Sequence, residues 1–247
     1  MIENYDIYHY SKQEIFLLIL KGTAFCIIFG VLFYNSFLGV LLLLFFLPVY
    51  IKREKMKYIK KRKWQLNIEF GDGLSGLSAA LNAGYSVENA FYQAISDLKQ
   101  IYGEESLIIN EFSTILKKLK VNQNLEDILN DFGERSRVED IKNFSEVFQT
   151  AKRTGGDIIR VIRSTEKTIR DKLEVEREIQ TMITGKRLES RIMNIMPCGI
   201  IGYLRLSSPH FLDPLYGNIM GVIVMTAMLI CYYAVTQLTN KLIDIKV

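Results

Sequence analysis

Gly71-Asp72-Gly73-Leu74-Ser75-Gly76 is the stretch of this sequence whose residue types could cradle a phosphate, since it reads GxGxxG. A dinucleotide site on that pattern needs a strand before it and an acidic residue about 20 residues later. Trp64, Leu66, Ile68 and Phe70 lead in, but Leu74, Leu77 and Leu81 follow at helical spacing, so the glycines predict close helix packing instead. Asp72 could serve acid–base catalysis only beside a second carboxylate in a shared buried site. No Asp or Glu falls inside the long apolar runs where such a pair would have to lie. The two histidines, His9 and His210, sit outside the central charged segment, which leaves no Cys/His cluster for a transition metal and no base for a Ser or Cys nucleophile. There is no GxxxxGK[ST] phosphate loop. Cys26, Cys198 and Cys231 lie in apolar segments without CxxC spacing and read as small hydrophobes. The residues predict no cofactor, no metal and no enzymatic activity.

The elements that position these residues are organised around Arg153 to Arg170, RTGGDIIRVIRSTEKTIR. A Gly155-Gly156 break precedes a proline-free helix in which Ile158, Ile162, Ile169 and Leu173 share one face. Arg160, Arg163, Lys167, Arg170 and Glu174 lie off it, and Glu166 and Arg170 are spaced as an i,i+4 pair, as are Lys167 and Asp171. The chain is 49% hydrophobic yet 23% charged. Those figures reconcile because the two residue classes occupy different segments. Lys52, Arg53, Lys55, Lys57, Lys60, Lys61, Arg62 and Lys63 face only Glu54, a net +7, whereas 64–190 carries 17 basic and 21 acidic residues, a net −4. A basic run beside an apolar one marks the cytoplasmic surface of a membrane. Without aromatic platforms it does not read as a nucleic-acid site.

Two apolar runs, 15–34 and 37–51, separated by Asn35-Ser36, predict a first transmembrane hairpin. The second run covers about 22 Å of a core about 30 Å thick, so it needs its flanks to complete the span. Residues 1–14 are mildly acidic and do not read as a cleavable signal. A second hairpin is expected over 191–238, with Pro197 kinking its first helix and a short outer loop at 207–217. The charge bias places 1–14, the basic segment 52–63, the domain 64–190 and the tail 239–247 in the cytoplasm. Between the hairpins, helices are predicted at 64–82, 87–101, 105–119, 125–136, 138–153 and 157–190. Ser86 and Asn124 read as N-caps, and Ser136 with Glu139 as a capping box. The segments beginning at Gly84, Asn122 and Gly155 share one plan, a residue suited to a left-handed turn, then a cap, then helical apolar spacing. The fold class expected is all-α: two membrane hairpins bracketing a cytoplasmic helical bundle.

The residues also resemble a family. LSGLSAALNAGYSVENA, Leu74 to Ala90, is similar to the first helix pair of the type II secretion F domain. Gln149 to Lys172, with its double glycine and Thr168-Ile169-Arg170-Asp171-Lys172, resembles that domain's GG-x-L and I-R-x-[RK] region. Gly185-Lys186-Arg187 leading to Pro197, then Ser208-Pro209-His210-Phe211-Leu212-Asp213-Pro214-Leu215, looks like the family's ending. A single F domain between two hairpins is similar to the platform proteins of Tad/Flp (type IVc) pili, over about residues 15–247. Ile158 or Ile159 stands where the family usually has leucine, and the Gly71/Gly73/Gly76 cluster is richer in glycine than its pattern.

The resemblance implies a non-catalytic cell-membrane platform. Its partners would be a cytoplasmic hexameric ATPase, pilin subunits, the bilayer, a second F-domain protein or further copies of itself, and no nucleic acid. On that reading Gly155 and Gly156 set a hinge after the turn at Gly84. Arg170 and Lys172 hold the bundle, Pro197 shapes the membrane entry, and Lys52 to Lys63, including Lys60, Lys61, Arg62 and Lys63, meet anionic lipid or an acidic ATPase face. The rival expectation is a membrane sensor whose helical domain relays an external cue, for which 207–217 is a small outer loop.

Overall fold

The computed structural model describes Tyr5 and residues 12–45, 47–208, 211–216 and 218–243. His9, Pro209, His210 and Lys246 lie outside them. The described residues are helical, with no strand among them: α1 (Lys12–Tyr34), α2 (Phe37–Leu44), α3 (Leu47–Asn82), α4 (Val87–Tyr102), α5 (Leu107–Lys120), α6 (Leu125–Ser136), α7 (Glu139–Arg153), α8 (Ile158–Ser207), α9 (Asp213–Tyr216) and α10 (Ile219–Ile243). They fall into two compact units. One takes in Tyr5 and Lys55–Val175; the other takes in the described residues of Tyr10–Glu54 and Glu176–Val247. The divisions fall inside α3 and α8, each of which is one unbroken helix.

Within the first unit, amphipathic spacing explains the helices. Ile162, Ile169 and Leu173 of α8 are buried as their spacing requires, while Arg160, Arg163, Lys167, Arg170 and Glu174 are exposed. The core is aromatic at its centre. The Phe70 ring meets Phe132 at 6.0 Å and Phe144 at 5.5 Å edge-on, and Phe91 meets Phe112 at 5.2 Å in the same way. Such pairs contribute about 0.5–1.5 kcal/mol each beyond the burial of their area.

Three antiparallel hairpins, α3/α4, α5/α6 and α7/α8, build this unit, and each turns through the same backbone device. Gly84, Asn122 and Gly155 have φ of 85°, 59° and 70°. Their N–H groups donate to the carbonyls of Leu81, Leu119 and Lys152, and the next residues' N–H groups donate to Ala80, Lys118 and Ala151. That is the Schellman pattern, which satisfies helix-end carbonyls and requires a left-handed residue. The common plan read at Gly84, Asn122 and Gly155 is therefore a common geometry. Ser86 accepts from the Asn89 N–H at 3.4 Å, and Asp157 Oδ1 accepts from the Arg160 N–H at 3.0 Å, so both helices are side-chain capped.

Several sequence-based boundaries are corrected. The capping box at Ser136 and Glu139 does not form. Ser136 ends α6, where its hydroxyl donates to the Gly133 carbonyl, and Val138 is the N-cap of α7 without a side-chain bond. Arg137, at φ 48°, makes the left-handed turn between them. Asn124 is the N-cap of α6, also without a side-chain bond. The basic segment is not a separate linker, because α3 starts at Leu47 and runs through it. The apolar run 37–51 is divided between α2 and the first turn of α3, so it is not one helix. α8 continues past 190 through Pro197 to Ser207, and α10 extends to Ile243, beyond the expected start of a tail at 239.

In the second unit, two helices are long and apolar enough to cross a membrane, Lys12–Tyr34 and Ile219–Thr239. Leu18, Gly22, Cys26, Gly30 and Phe33 form the buried face of α1, where Gly30 lets the backbone of Val40 approach: a Cβ there would stand 2.8 Å from the Val40 Cα. The outward faces are apolar instead of polar, with Phe16, Phe25 and Ile28 of α1 and Met220, Ile223 and Ile230 of α10 all more than half exposed. Lipid, not water, suits such a surface. Asn35, at φ 44°, closes α1 where the polar break was read.

Candidate functional site

The GxGxxG segment lies in the middle of α3, so no strand delivers a phosphate to it. Its glycines are approach points for other helices. A Cβ on Gly71 would stand 3.0 Å from Ile169 of α8, on Gly73 2.8 Å from the Phe112 ring of α5, and on Gly76 3.4 Å from Ala94 of α4. The small residues thus set inter-helix distances, as their spacing suggested. Asp72 accepts a short hydrogen bond from the Tyr102 hydroxyl. Among the described residues no cluster of three His, Cys, Asp or Glu side chains could hold a metal.

Polar ties from Glu69 and Glu111 between helices of the first unit are what sequence reading missed. Glu69 of α3 is 3% exposed, and its Oε2 accepts from the Ser106 hydroxyl at 2.8 Å and the Ile108 N–H at 3.1 Å. A side chain from another helix therefore caps α5, with its charge at the positive end of the helix dipole. Ser106 holds the N-cap position but donates its own hydroxyl to Glu69. In the second hairpin, Arg135 of α6 grips Glu111 of α5 through two bonds, at 3.1 and 2.9 Å, and its Nε donates to Asp131 at 3.1 Å. Lys118 donates to the same Asp131 at 2.8 Å. The Tyr5 hydroxyl donates to Glu111 at 2.9 Å, and the Tyr5 ring lies 4.9 Å below the Arg62 guanidinium. Burial opposes the charges in this network, but the bonds across it prevail: they raise the pKa of Arg135 and hold Asp131 below the ordinary carboxylate value.

The third hairpin is tied by a residue the sequence singled out. Lys172 Nζ donates to Asp140 of α7 at 3.1 and 3.2 Å, and Asn67 of α3 donates to the same carboxylate at 2.7 Å. Lys172 therefore joins α8 to α7 and, through Asp140, to α3. Arg170 does not share this role: it is exposed and pairs with Glu166 on its own helix at 2.8 Å through Nε. Signals for the missed ties existed. Glu69, Asn67 and Glu111 occupy core-facing positions between Leu66, Phe70, Ile108 and Phe112, and an acid there requires a buried partner.

Other residues named from the sequence fall into separate places. Gly155 and Gly156 form the closed turn described above, and Gly156 packs on Ala151. Lys60 and Lys61 are exposed on α3, with Arg62 and Lys63 half-buried beside them. In the second unit, Pro197 is inside α8, and Arg205 reaches the Val31 carbonyl and the Asn35 side chain. Tyr216 donates to the Leu32 carbonyl at 2.7 Å, and Tyr34 and Thr226 share a bond at 3.0 Å, so α1, α8 and α10 are cross-linked at one level.

The first unit also holds a cavity of about 270 Å³ lined by Phe70, Phe91, Phe112, Phe144 and Phe148 together with Val87, Gln123 and Ile158. Taken together, the described side chains offer helix-packing points, structural ion pairs, an apolar cavity and a basic helix face. No family model, curated protein or solved structure matches this chain.

Proposed function

We propose that the chain is a non-catalytic membrane platform. In this reading its first unit is cytoplasmic, α1 and α10 cross the membrane, and 37–51 and 192–206 complete two hairpins that leave both termini inside. The first unit would engage a hexameric secretion ATPase, and the membrane unit would gather pilin subunits, either as an oligomer or beside a second F-domain protein. The observation that supports this most is the continuity of α8. One helix carries Ile162, Ile169 and Leu173 in the core of the first unit and the apolar 192–206 in the second. A displacement imposed on the helical unit is passed along hydrogen-bonded backbone, without an intervening loop to absorb it.

The test is reconstitution of the full-length protein in lipid nanodiscs with the secretion ATPase of the same genome. The expected result is a stable complex in which this chain alone turns over no ATP and the ATPase's turnover changes on binding. Topology is read in a cysteine-free background: Asn35→Cys labels from outside intact cells, and Asp127→Cys labels only after permeabilisation. Failure of the full-length protein to bind the ATPase, or outside labelling at Asp127, would overturn the reading.

A further inference from the structure

We infer that the apolar cavity of the first unit is a binding site for a small uncharged aromatic molecule of two fused rings that carries one N–H or O–H donor. Every residue lining it falls between Phe70 and Ile162, within one compact unit, so the inference is independent of the membrane reading. The buried part of the wall is made by Phe, Leu and Ile side chains, among them Leu74, Leu77 and Leu129. Water against such a wall lacks the about two to four polar partners that hold it. Left empty, the space forfeits dispersion contacts on all its walls. The rings of the wall are paired with one another. Phe70 meets Phe144 at 5.5 Å, Phe144 meets Phe148 at 5.7 Å, and Phe91 meets Phe112 at 5.2 Å, so a ring turned inward would give up a partner. The cavity is thus preformed, as small-molecule sites usually are.

Size and lining select the ligand class. An apolar cavity of about 150 Å³ admits one benzene ring, so about 270 Å³ is room for roughly ten carbon atoms, or two fused rings. Five phenyl rings favour an aromatic occupant over an aliphatic one of equal size, because their edges and faces can meet its own. The exposed residues of the lining are Val87, Glu88, Gln123, Asn124 and Lys152, which flank the left-handed turns at Gly84, Asn122 and Gly155. Glu88, Gln123 and Asn124 all present acceptor oxygens. Lys152, the cation among these residues, already donates to Glu126 at 2.8 Å, and Glu88 opposes a second negative charge. A neutral donor therefore suits this rim better than a carboxylate. Each of α3 to α8 contributes to the wall, so an occupant would touch all three hairpins at once.

Indole is titrated by isothermal calorimetry into full-length protein in nanodiscs, with empty discs subtracted to remove partition into lipid. One saturable site per chain is expected, with Kd between about 10 µM and 1 mM. Benzothiophene, which keeps the shape and lacks the donor, should bind about three- to tenfold more weakly. The aliphatic 1-octanol should bind more weakly than indole by about threefold or more. Val87→Trp and Leu129→Phe each put extra side chain into the cavity and should weaken indole binding by about tenfold or more, at unchanged far-UV circular dichroism. Tyr92→Ala, at an exposed position of α4 outside the lining, should leave affinity unchanged. Heat no greater than that of empty discs overturns the inference, as does affinity that survives the filling variant or variants retaining wild-type helicity. Binding of 1-octanol as tight as that of indole overturns the aromatic assignment, and tighter binding of octanoate overturns the uncharged one.

Discussion

Replacing Gly73 by Ala tests whether the glycines of α3 exist for packing. Two opposing effects decide the sign. Alanine favours a helix interior by about 1 kcal/mol over glycine. Against this, the new Cβ would stand 2.8 Å from two atoms of the Phe112 ring, where ordinary contact begins at 3.4 Å, so ring or helix must move by about 0.6 Å. Phe112 is 1% exposed and held edge-on against Phe91, so any shift of its ring disturbs that pair. Overpacking of this kind costs about 1–3 kcal/mol, so Gly73→Ala should destabilise by about 1–2 kcal/mol. Gly76→Ala, one turn later, meets Ala94 at 3.4 Å and should keep most of the propensity gain. Differential scanning calorimetry of the full-length protein in nanodiscs should therefore separate the two variants by roughly 4–8 °C, wild type lying between them. Equal shifts in both variants, or stabilisation by Gly73→Ala, would refute the packing argument.

Glu69→Gln keeps the shape but removes the charge that caps α5, and should cost about 1.5–3 kcal/mol; hydrogen exchange should quicken first at the amides of Ile108 and Ile109. Lys172→Ala should cost about 1 kcal/mol, since it leaves Asp140 with one partner fewer, whereas Arg170→Ala should cost less than about 0.5 kcal/mol because its pair is exposed and within one helix; thermal melts of the two variants compare them directly. Acid should weaken the first unit. The hydrogen bond from Lys152 holds Glu126 below its ordinary value, and at Asp131 burial pushes up but is outweighed by Lys118 and Arg135. A carboxyl depressed in the fold stabilises it above the unfolded pKa, near 4, and loses that contribution as pH falls through the folded value. Melting temperature should thus decline below about pH 4, and Lys152→Met should make the decline shallower. Gly155→Ala, forced to φ 70°, should destabilise by about 1–2 kcal/mol, while Asn122→Gly should be neutral or slightly stabilising by the same measurement.

The helical order was legible because apolar spacing acts locally. Start residues of α4 and α6 and the burial of Ile162, Ile169 and Leu173 follow from period 3.6 and from caps at Ser86 and Asn124. The left-handed turns at Gly84, Asn122 and Gly155 were legible for the same reason, since Gly and Asn tolerate positive φ best. The Ser136–Glu139 box failed because Arg137 took the left-handed turn, leaving Ser136 inside α6. Pro197 did not end α8, and a drop in charge at 190 or a lysine run at 52 does not by itself interrupt backbone hydrogen bonding, so hydropathy boundaries and helix boundaries diverged. The ties from Glu69 to Ser106 and Ile108 and from Arg135 to Glu111 were not legible, because they join residues 24 to 39 positions apart and depend on which helices become neighbours.

The three hairpins raise the question of why α3, α5 and α7 all end in one way. An apolar helix that must reverse direction within four or five residues has its last carbonyls unsatisfied and its next apolar face to aim back at itself. The Schellman turn solves both at once, using one left-handed residue and two bonds. Each hairpin is then fixed by a tie about equally far from its turn on both arms: Gly76 against Ala94, Glu111 with Arg135, Asp140 with Lys172. The shared plan thus follows from chain reversal plus contacts across each hairpin, and needs no common ancestry among the three. It also separates two roles for glycine in this chain. At Gly84 and Gly155 the missing Cβ would meet nothing within 4 Å, and only φ demands glycine; at Gly71 and Gly73 φ is helical, and only space does.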